Sequence, residues 1–236
     1  MKMKHCFALI AACTVFTALC GRAVGYPTSC NTIPTADILE AGTVRLEFEN
    51  DGLPRVGGQE SVTYCLTQIG LTPRVEFGID RWDVSGEPQD AVNAKYLLAA
   101  ESGRRPAVAI GVMDVAEGSP ASWYGVATRT LGRLRLHAGY IHADYAKGPM
   151  LGCDHELAEG TYFLADWMRG PENYLALGIW RELGRQWALG FTYAFSNDRG
   201  AEDLTAVNLS YRFQLSPRQR PSALSADEAV EGREIQ

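Results

Sequence analysis

The chain has 236 residues, 46% of them hydrophobic, with a formal charge of −6. That length suits one sizeable domain, and an acidic balance with no basic block argues against nucleic acid as a partner. Beyond the first residues no stretch reaches the roughly 18 consecutive apolar residues of a membrane helix, which excludes a helical span but not a strand-built one.

In chain order, Lys2, Lys4 and His5 make a short basic start, and CFALIAACTVFTALC (6–20) is a continuous apolar run. Ala23-Val24-Gly25 then puts small residues where a signal peptidase reads, so 1–25 is a secretory signal peptide cleaved after Gly25. The run is short for a membrane anchor, and Leu19 before Cys20 is too bulky for a lipoprotein site. Cys6, Cys13 and Cys20 leave with the signal; Cys30, Cys65 and Cys153 remain, an odd set in an oxidising compartment and with no metal-motif spacing. A Cys30–Cys65 bridge is one arrangement; single buried or lipid-facing thiols are the simpler one.

Residues 26–42, YPTSCNTIPTADILEAG, hold two prolines and no alternation, and read as an extended lead-in placed to plug or cap an end. From Thr43 the apolar period is two. TVRLEFE sets Val44, Leu46 and Phe48 against Arg45, Glu47 and Glu49, and VEFGID sets Val75, Phe77 and Ile79 against Glu76, Gly78 and Asp80. About 12 such segments follow one another to LTAVNLSYRF (204–213). DAVNAKYLLAAE (90–101) also has the Ala and Leu content of a short helix. The connectors alternate in kind. LTPR, LGR, LAEG and LGRQ are compact, whereas ENDGLPRVGGQE, DVSGEPQD, AEGSPA, DYAKGP, RGPEN and SNDRGAED are polar and mostly longer; AAESGRRP (99–106) is the exception, falling in the compact series but longer. A sheet whose two rims differ this regularly faces two compartments. Residues 214–236 form a polar, Pro-containing C-terminal tail.

An up-and-down antiparallel chain avoids exposed edges by closing. Residue size then decides which face is inside. The polar parity mixes glycines and alanines (Gly78, Gly111, Gly178, Gly190, Ala188, Ala194) with charges of both signs, as a confined interior requires; the other parity is bulky. Two sets of aromatics mark strand ends: Trp82, Trp123, Tyr124, Tyr140, Trp167, Tyr193 and Phe195 at one, Tyr96, Trp187, Tyr211 and Phe213 at the other. About nine residues at about 3.3 Å each, tilted near 40°, rise roughly 23 Å, the thickness of an outer-membrane apolar band. The expected fold is all-β: a closed up-and-down antiparallel transmembrane β-barrel of about 12 strands over 43–213.

LTAVNLSYRF resembles the closing strand of bacterial outer-membrane proteins, with Leu209, Tyr211 and Phe213 in the positions of their assembly signal. It departs from that pattern in lacking its frequent Gly and in being followed by a 23-residue extension (214–236). IPTADILEAGTVRLEFE (33–49) resembles the opening of porin-like proteins associated with exopolysaccharide export. These resemblances imply a bacterial outer-membrane location, outer-membrane lipid around the barrel, and assembly through periplasmic chaperones and the barrel-assembly machinery.

Enzymatic chemistry has little to stand on. A lipid-cleaving barrel needs a Ser–His pair, and His137, His142 and His155 have no evident serine partner. In CDHE (153–156), strand alternation puts Asp154 and Glu156 on one face and Cys153 and His155 on the other, so one metal cannot collect all four. No cofactor, metal or catalytic residue is expected. Arg45, Glu47, Glu76, Asp80, Lys95, Arg135, Asp154, Glu156, Asp166 and Arg212 are the expected lumen-lining charges, either bonded into a filled interior or lining a pore for small solutes or ions. The reading is a narrow porin-like channel or structural envelope protein. A secreted soluble ligand-binding barrel and an outer-membrane lipid-modifying enzyme are the alternatives.

Overall fold

The computed structural model describes residues 28–51, 62–84, 87–116 and 120–215. The signal segment 1–25, its cleavage after Gly25 and the tail beyond residue 215 lie outside the described residues. Twelve strands follow in order: β1 (Thr43–Asp51), β2 (Val62–Thr72), β3 (Val75–Val84), β4 (Glu87–Ala99), β5 (Ala107–Val115), β6 (Ser122–Leu131), β7 (Leu134–His142), β8 (Lys147–Ala158), β9 (Thr161–Met168), β10 (Tyr174–Leu183), β11 (Trp187–Ser196) and β12 (Leu204–Gln214). Each pairs antiparallel with its chain neighbours, and β12 pairs with β1 through Phe48↔Leu209 and Leu46↔Tyr211, closing the barrel. The stretch at 90–101 is mostly strand β4, not helix; Tyr96, Leu98 and Val92 face outward there, so side-chain alternation outweighs the alanine content.

Alternation fixes the two faces. Along β10 and β11, Leu175, Leu177, Ile179, Leu189, Phe191 and Phe195 are exposed, while Ala176, Gly178, Ala188, Gly190, Thr192 and Ala194 are buried. With Ile110, Leu151 and Leu209, these exposed residues form an apolar belt far larger than the patches water tolerates, and it is the lipid face of a transmembrane barrel. Ile179, 45% exposed near the middle of β10, should therefore reject charge. Ile179→Arg is expected to lose about 2–4 kcal/mol of stability in vesicles, measured by denaturant unfolding, and a barrel held in water would lose far less.

Val44 is on the outward parity yet only 7% exposed. It sits at the β1–β12 seam opposite Phe213, beside a ring cluster in which Tyr211 lies 4.5 Å from Trp187 and 5.9 Å from Phe213. Tyr124, placed by its position in the sequence among the interfacial aromatics, points inward instead and is 9% exposed. Its ring lies over Gly111, where an added Cβ would come within 2.3 Å of it. Trp123, its neighbour, takes the interface and is 62% exposed.

The rims differ as the connectors do. At the compact rim, Leu131↔Leu134 closes a hairpin over Gly132, whose φ of 67° is the left-handed conformation tight hairpins need. Leu71, Leu131, Leu157 and Leu183 all stand exposed at this rim, which also carries Thr43 and Gln214 at the barrel's two ends. Glu101, in the turn before β5, accepts hydrogen bonds from the Thr130 N–H at 3.0 Å and hydroxyl at 2.8 Å, and pairs with Arg129 at 2.9 Å. Partial burial pushes the Glu101 carboxyl up, but these partners more than offset it and hold it below the usual range.

Candidate functional site

The interior is occupied by residues 28–42, the inner segment. Its bonds reach lumen-facing side chains right round the barrel: Gln68 on β2, Glu76 on β3, Lys95 on β4, Thr128 on β6, Arg135 on β7, Asp166 on β9 and Thr192 on β11. A chain that touches so many walls from the lumen side lies within them. Gly70 admits it at the compact rim, where an added Cβ would meet the Leu39 and Glu40 carbonyls at 2.3 Å.

Three anchors hold the segment. Asp166, 2% exposed, accepts from the Asn31 N–H and Nδ2 at 2.8 Å each, from the Thr32 N–H at 3.0 Å and from the Thr32 hydroxyl. Lys95 Nζ donates to the Thr28 carbonyl at 2.9 Å and the Thr35 carbonyl at 3.4 Å, and pairs with Glu76 at 3.5 Å; Glu76 in turn accepts the Leu39 N–H at 2.9 Å. Arg135 pairs with Asp37 and, at 3.6 Å, with Asp154. Asp154 bonds His137 Nε2 at 2.7 Å, and His137 Nδ1 meets the Thr128 hydroxyl at 2.9 Å. Buried ions in such a medium persist only when paired and hydrogen-bonded, and here the backbone of the inner segment supplies much of the bonding.

Of the sequence-derived lumen charges, Arg45, Glu47, Glu76, Lys95, Arg135, Asp154 and Asp166 are buried in the interior. Asp80 is partly buried and lines the main cavity with Asn93, whose Nδ2 it bonds. Arg212 pairs with Glu182 at 3.3 Å in a smaller recess near Arg45. Glu156 follows Asp154 on the same parity but sits half-buried towards the compact rim. Leu209 is exposed to lipid, while Tyr211 and Phe213 form the seam cluster. Cys30 and Cys153 are free thiols, so the Cys30–Cys65 bridge does not form.

Several interior groups had no place in the sequence-derived set. His137 shares the parity of Arg135, and Glu49 shares that of Glu47, so alternation carries a signal for both. Asp114 has none. Register slips between β4 and β5 at Val92/Ala94, and Asp114 adopts a φ of 57°, uncommon for a non-glycine. This bulge turns the side chain to the main cavity, where its N–H donates to Asn93 Oδ1 at 3.0 Å and its carboxylate accepts the Tyr145 hydroxyl at 3.0 Å. A strained residue at a lumen wall is where function tends to concentrate.

The cavity itself, about 190 Å3, lies between the inner segment and the wall. Its lining includes five carboxylates, Glu47, Glu49, Glu76, Asp80 and Asp114, against one cation, Lys95. Beside the cavity, Tyr124, Val126, Met150, Leu164, Met168 and Trp180 pack with Cys30, Ile33 and Ala36, and Tyr124, Trp180, Cys30 and Ile33 also line it.

His155 lies opposite Leu134 and Phe163, and His142 opposite Trp123 and Lys147, so neither has a serine across the ladder.

No protein-family profile matches the sequence, and neither does any curated protein. Among solved structures the chain resembles the KdgM porin at 11% identity, with a TM-score of 0.51 over 73% of this chain and 99% of that one. A KdgM porin in complex with disordered oligogalacturonate matches at 10% identity and a TM-score of 0.53, over the same shares. Outer membrane phospholipase A from Escherichia coli matches at 9% identity and a TM-score of 0.45, over 82% of this chain and 95% of that one. With its lipid belt and closed twelve-strand ladder, the chain has the fold of a porin-like outer-membrane β-barrel.

Proposed function

We propose that the protein is a narrow, cation-preferring, porin-like channel of the bacterial outer membrane, closed at rest by its inner segment. The observation that carries this is the cavity with five carboxylates and one lysine in its lining. Inside a low-dielectric wall such an excess attracts cations and repels anions over the whole lumen. A polyanion such as the oligogalacturonate bound by the KdgM porin is a poor fit to that lining. The longer connections face outward from the cell. The compact rim, with both barrel ends, faces the periplasm, where chaperones and the barrel-assembly machinery receive the chain after cleavage behind Gly25. This reading assigns the protein no enzymatic turnover.

The test is conductance of the purified, refolded protein in planar bilayers across a potassium chloride gradient. Discrete steps with a reversal potential on the cation side are expected. In Glu49→Gln/Asp80→Asn/Asp114→Asn the cation preference should fall by more than half, because three of the five cavity carboxylates are gone. Silence from a folded, heat-modifiable barrel would leave the structural envelope role instead, and an anion preference would overturn the reading.

A further inference from the structure

We propose that Cys30, His137 and Asp154 form a zinc-class divalent metal site that ties the inner segment to the barrel wall. The three side chains come from the inner segment, β7 and β8, all are buried, and their ligand atoms lie within 4.8 Å of one another. A thiolate, an imidazole and a carboxylate are zinc's own donor set, and three protein ligands leave a fourth position for water.

Two independent features at the site point to a ligand. Asp154 has a side chain only 6% exposed, and its Oδ1 is buried with no hydrogen-bond partner. A carboxylate oxygen left this way in a packed interior is a lone pair without an acceptor role, which a cation fills. Arg135 and His137 both approach the other oxygen, Oδ2, so Oδ1 is the one available. The second feature is the support of the imidazole. His137 Nδ1 lies 2.9 Å from the Thr128 hydroxyl, which also accepts the Ala36 N–H at 2.9 Å. Without metal, Nε2–H donates to Asp154 Oδ2; on loading, the proton moves to Nδ1 and is donated to Thr128, which frees the Nε2 lone pair for the metal and gives the outer-shell support of a metal-bound histidine.

Arg135 is the cation that pairs with both Asp37 and Asp154; burial and the Asp166 and Asp154 carboxylates push the Cys30 thiol up, so it stays protonated until a metal displaces the proton. Binding releases the thiol proton to solvent and leaves the sulfur as a ligand. His137 Nε2 and Asp154 Oδ2 are 2.7 Å apart, whereas two light-atom ligands on one zinc stand about 3.3 Å apart. Loading therefore parts the pair slightly and brings Oδ1 round. A nucleophilic role for Cys30 is weaker, since the residue is 4% exposed.

The site stands whether or not the barrel conducts. The experiment uses the mature protein in detergent, stripped by a chelator and titrated with cobalt(II). A stoichiometric thiolate-to-cobalt charge-transfer band, lost on adding zinc(II), is expected. Cys30→Ser and Cys30→Ala should lose the band, His137→Ala should weaken binding at least about tenfold, and Cys153→Ser should keep it. Heat-modifiable migration verifies that each variant is folded. As a second readout, zinc should raise the temperature of gel-shift conversion for the native sequence and not for Cys30→Ser. No band in the native protein, or a band that survives loss of Cys30, overturns the proposal.

Discussion

Replacing Asp166 with Ala is expected to raise the frequency of open-channel events about a hundredfold while leaving the barrel folded. The carboxylate collects four hydrogen bonds from Asn31 and Thr32, two of them from backbone N–H groups. Bonds to a charged acceptor contribute roughly 1.5–3 kcal/mol each and do not sum, so a net loss of about 3 kcal/mol is a conservative figure. That loss corresponds to roughly a hundredfold change in population. The stranded donors make release of the segment the cheaper state, because in the open lumen water can satisfy them. The β9 ladder to β8 and β10 involves backbone groups only and is untouched. Asp166→Asn, which keeps an acceptor, should open less often. Single-channel recording measures the gating. Maleimide labelling of Cys30, in a Cys65→Ser/Cys153→Ser background, measures undocking. Faster labelling without more openings would show that the segment is not the closure, and unchanged labelling would show that Asp166 is not the anchor.

The wall of this barrel is legible in the sequence because its rule is local. Period two tells which side a residue faces, and that is how Arg45, Glu47, Glu76, Lys95 and Asp154 were assigned to a lumen where they are in fact buried. Parity says nothing about what a residue meets there. Asn31 and Asp166 are 135 positions apart, and neither carries a local mark of the other. The same gap explains Tyr124. Sequence logic gives an inward parity to small and charged residues, yet Tyr124, Val126, Leu164 and Met168 face inward because the inner segment brings Ile33 and Ala36 as apolar partners. The lumen is thus half a soluble protein's core, which no pattern built for an empty barrel anticipates. Asp114 fails for a different reason. A bulge shifts parity by one residue, and the bulge arises from pairing between β4 and β5 rather than from either strand alone.

Lys95→Met should be the most destabilising single change in the interior, at about 3–5 kcal/mol, because it breaks a buried pair from one side. Lys95 and Glu76 have side chains 5% and 6% exposed at 3.5 Å separation. Methionine keeps much of the aliphatic volume, so packing alone does not account for the loss. What remains is a Glu76 carboxylate with the Leu39 N–H as its hydrogen-bond donor, together with Thr28 and Thr35 carbonyls deprived of the ammonium. The diagnostic is the double variant. Lys95→Met/Glu76→Gln removes the uncompensated charge, and the new side-chain amide still offers an oxygen to the Leu39 N–H. It should recover more than half of the single variant's loss, which is the signature of desolvated charge rather than lost contacts. Both the temperature at which the compact gel band converts and the urea midpoint in vesicles read this out. If the two substitutions simply add, Glu76 is solvated in the native lumen. Water then already reaches past the inner segment, and the closed state proposed above would have to be narrower in extent than the anchors suggest.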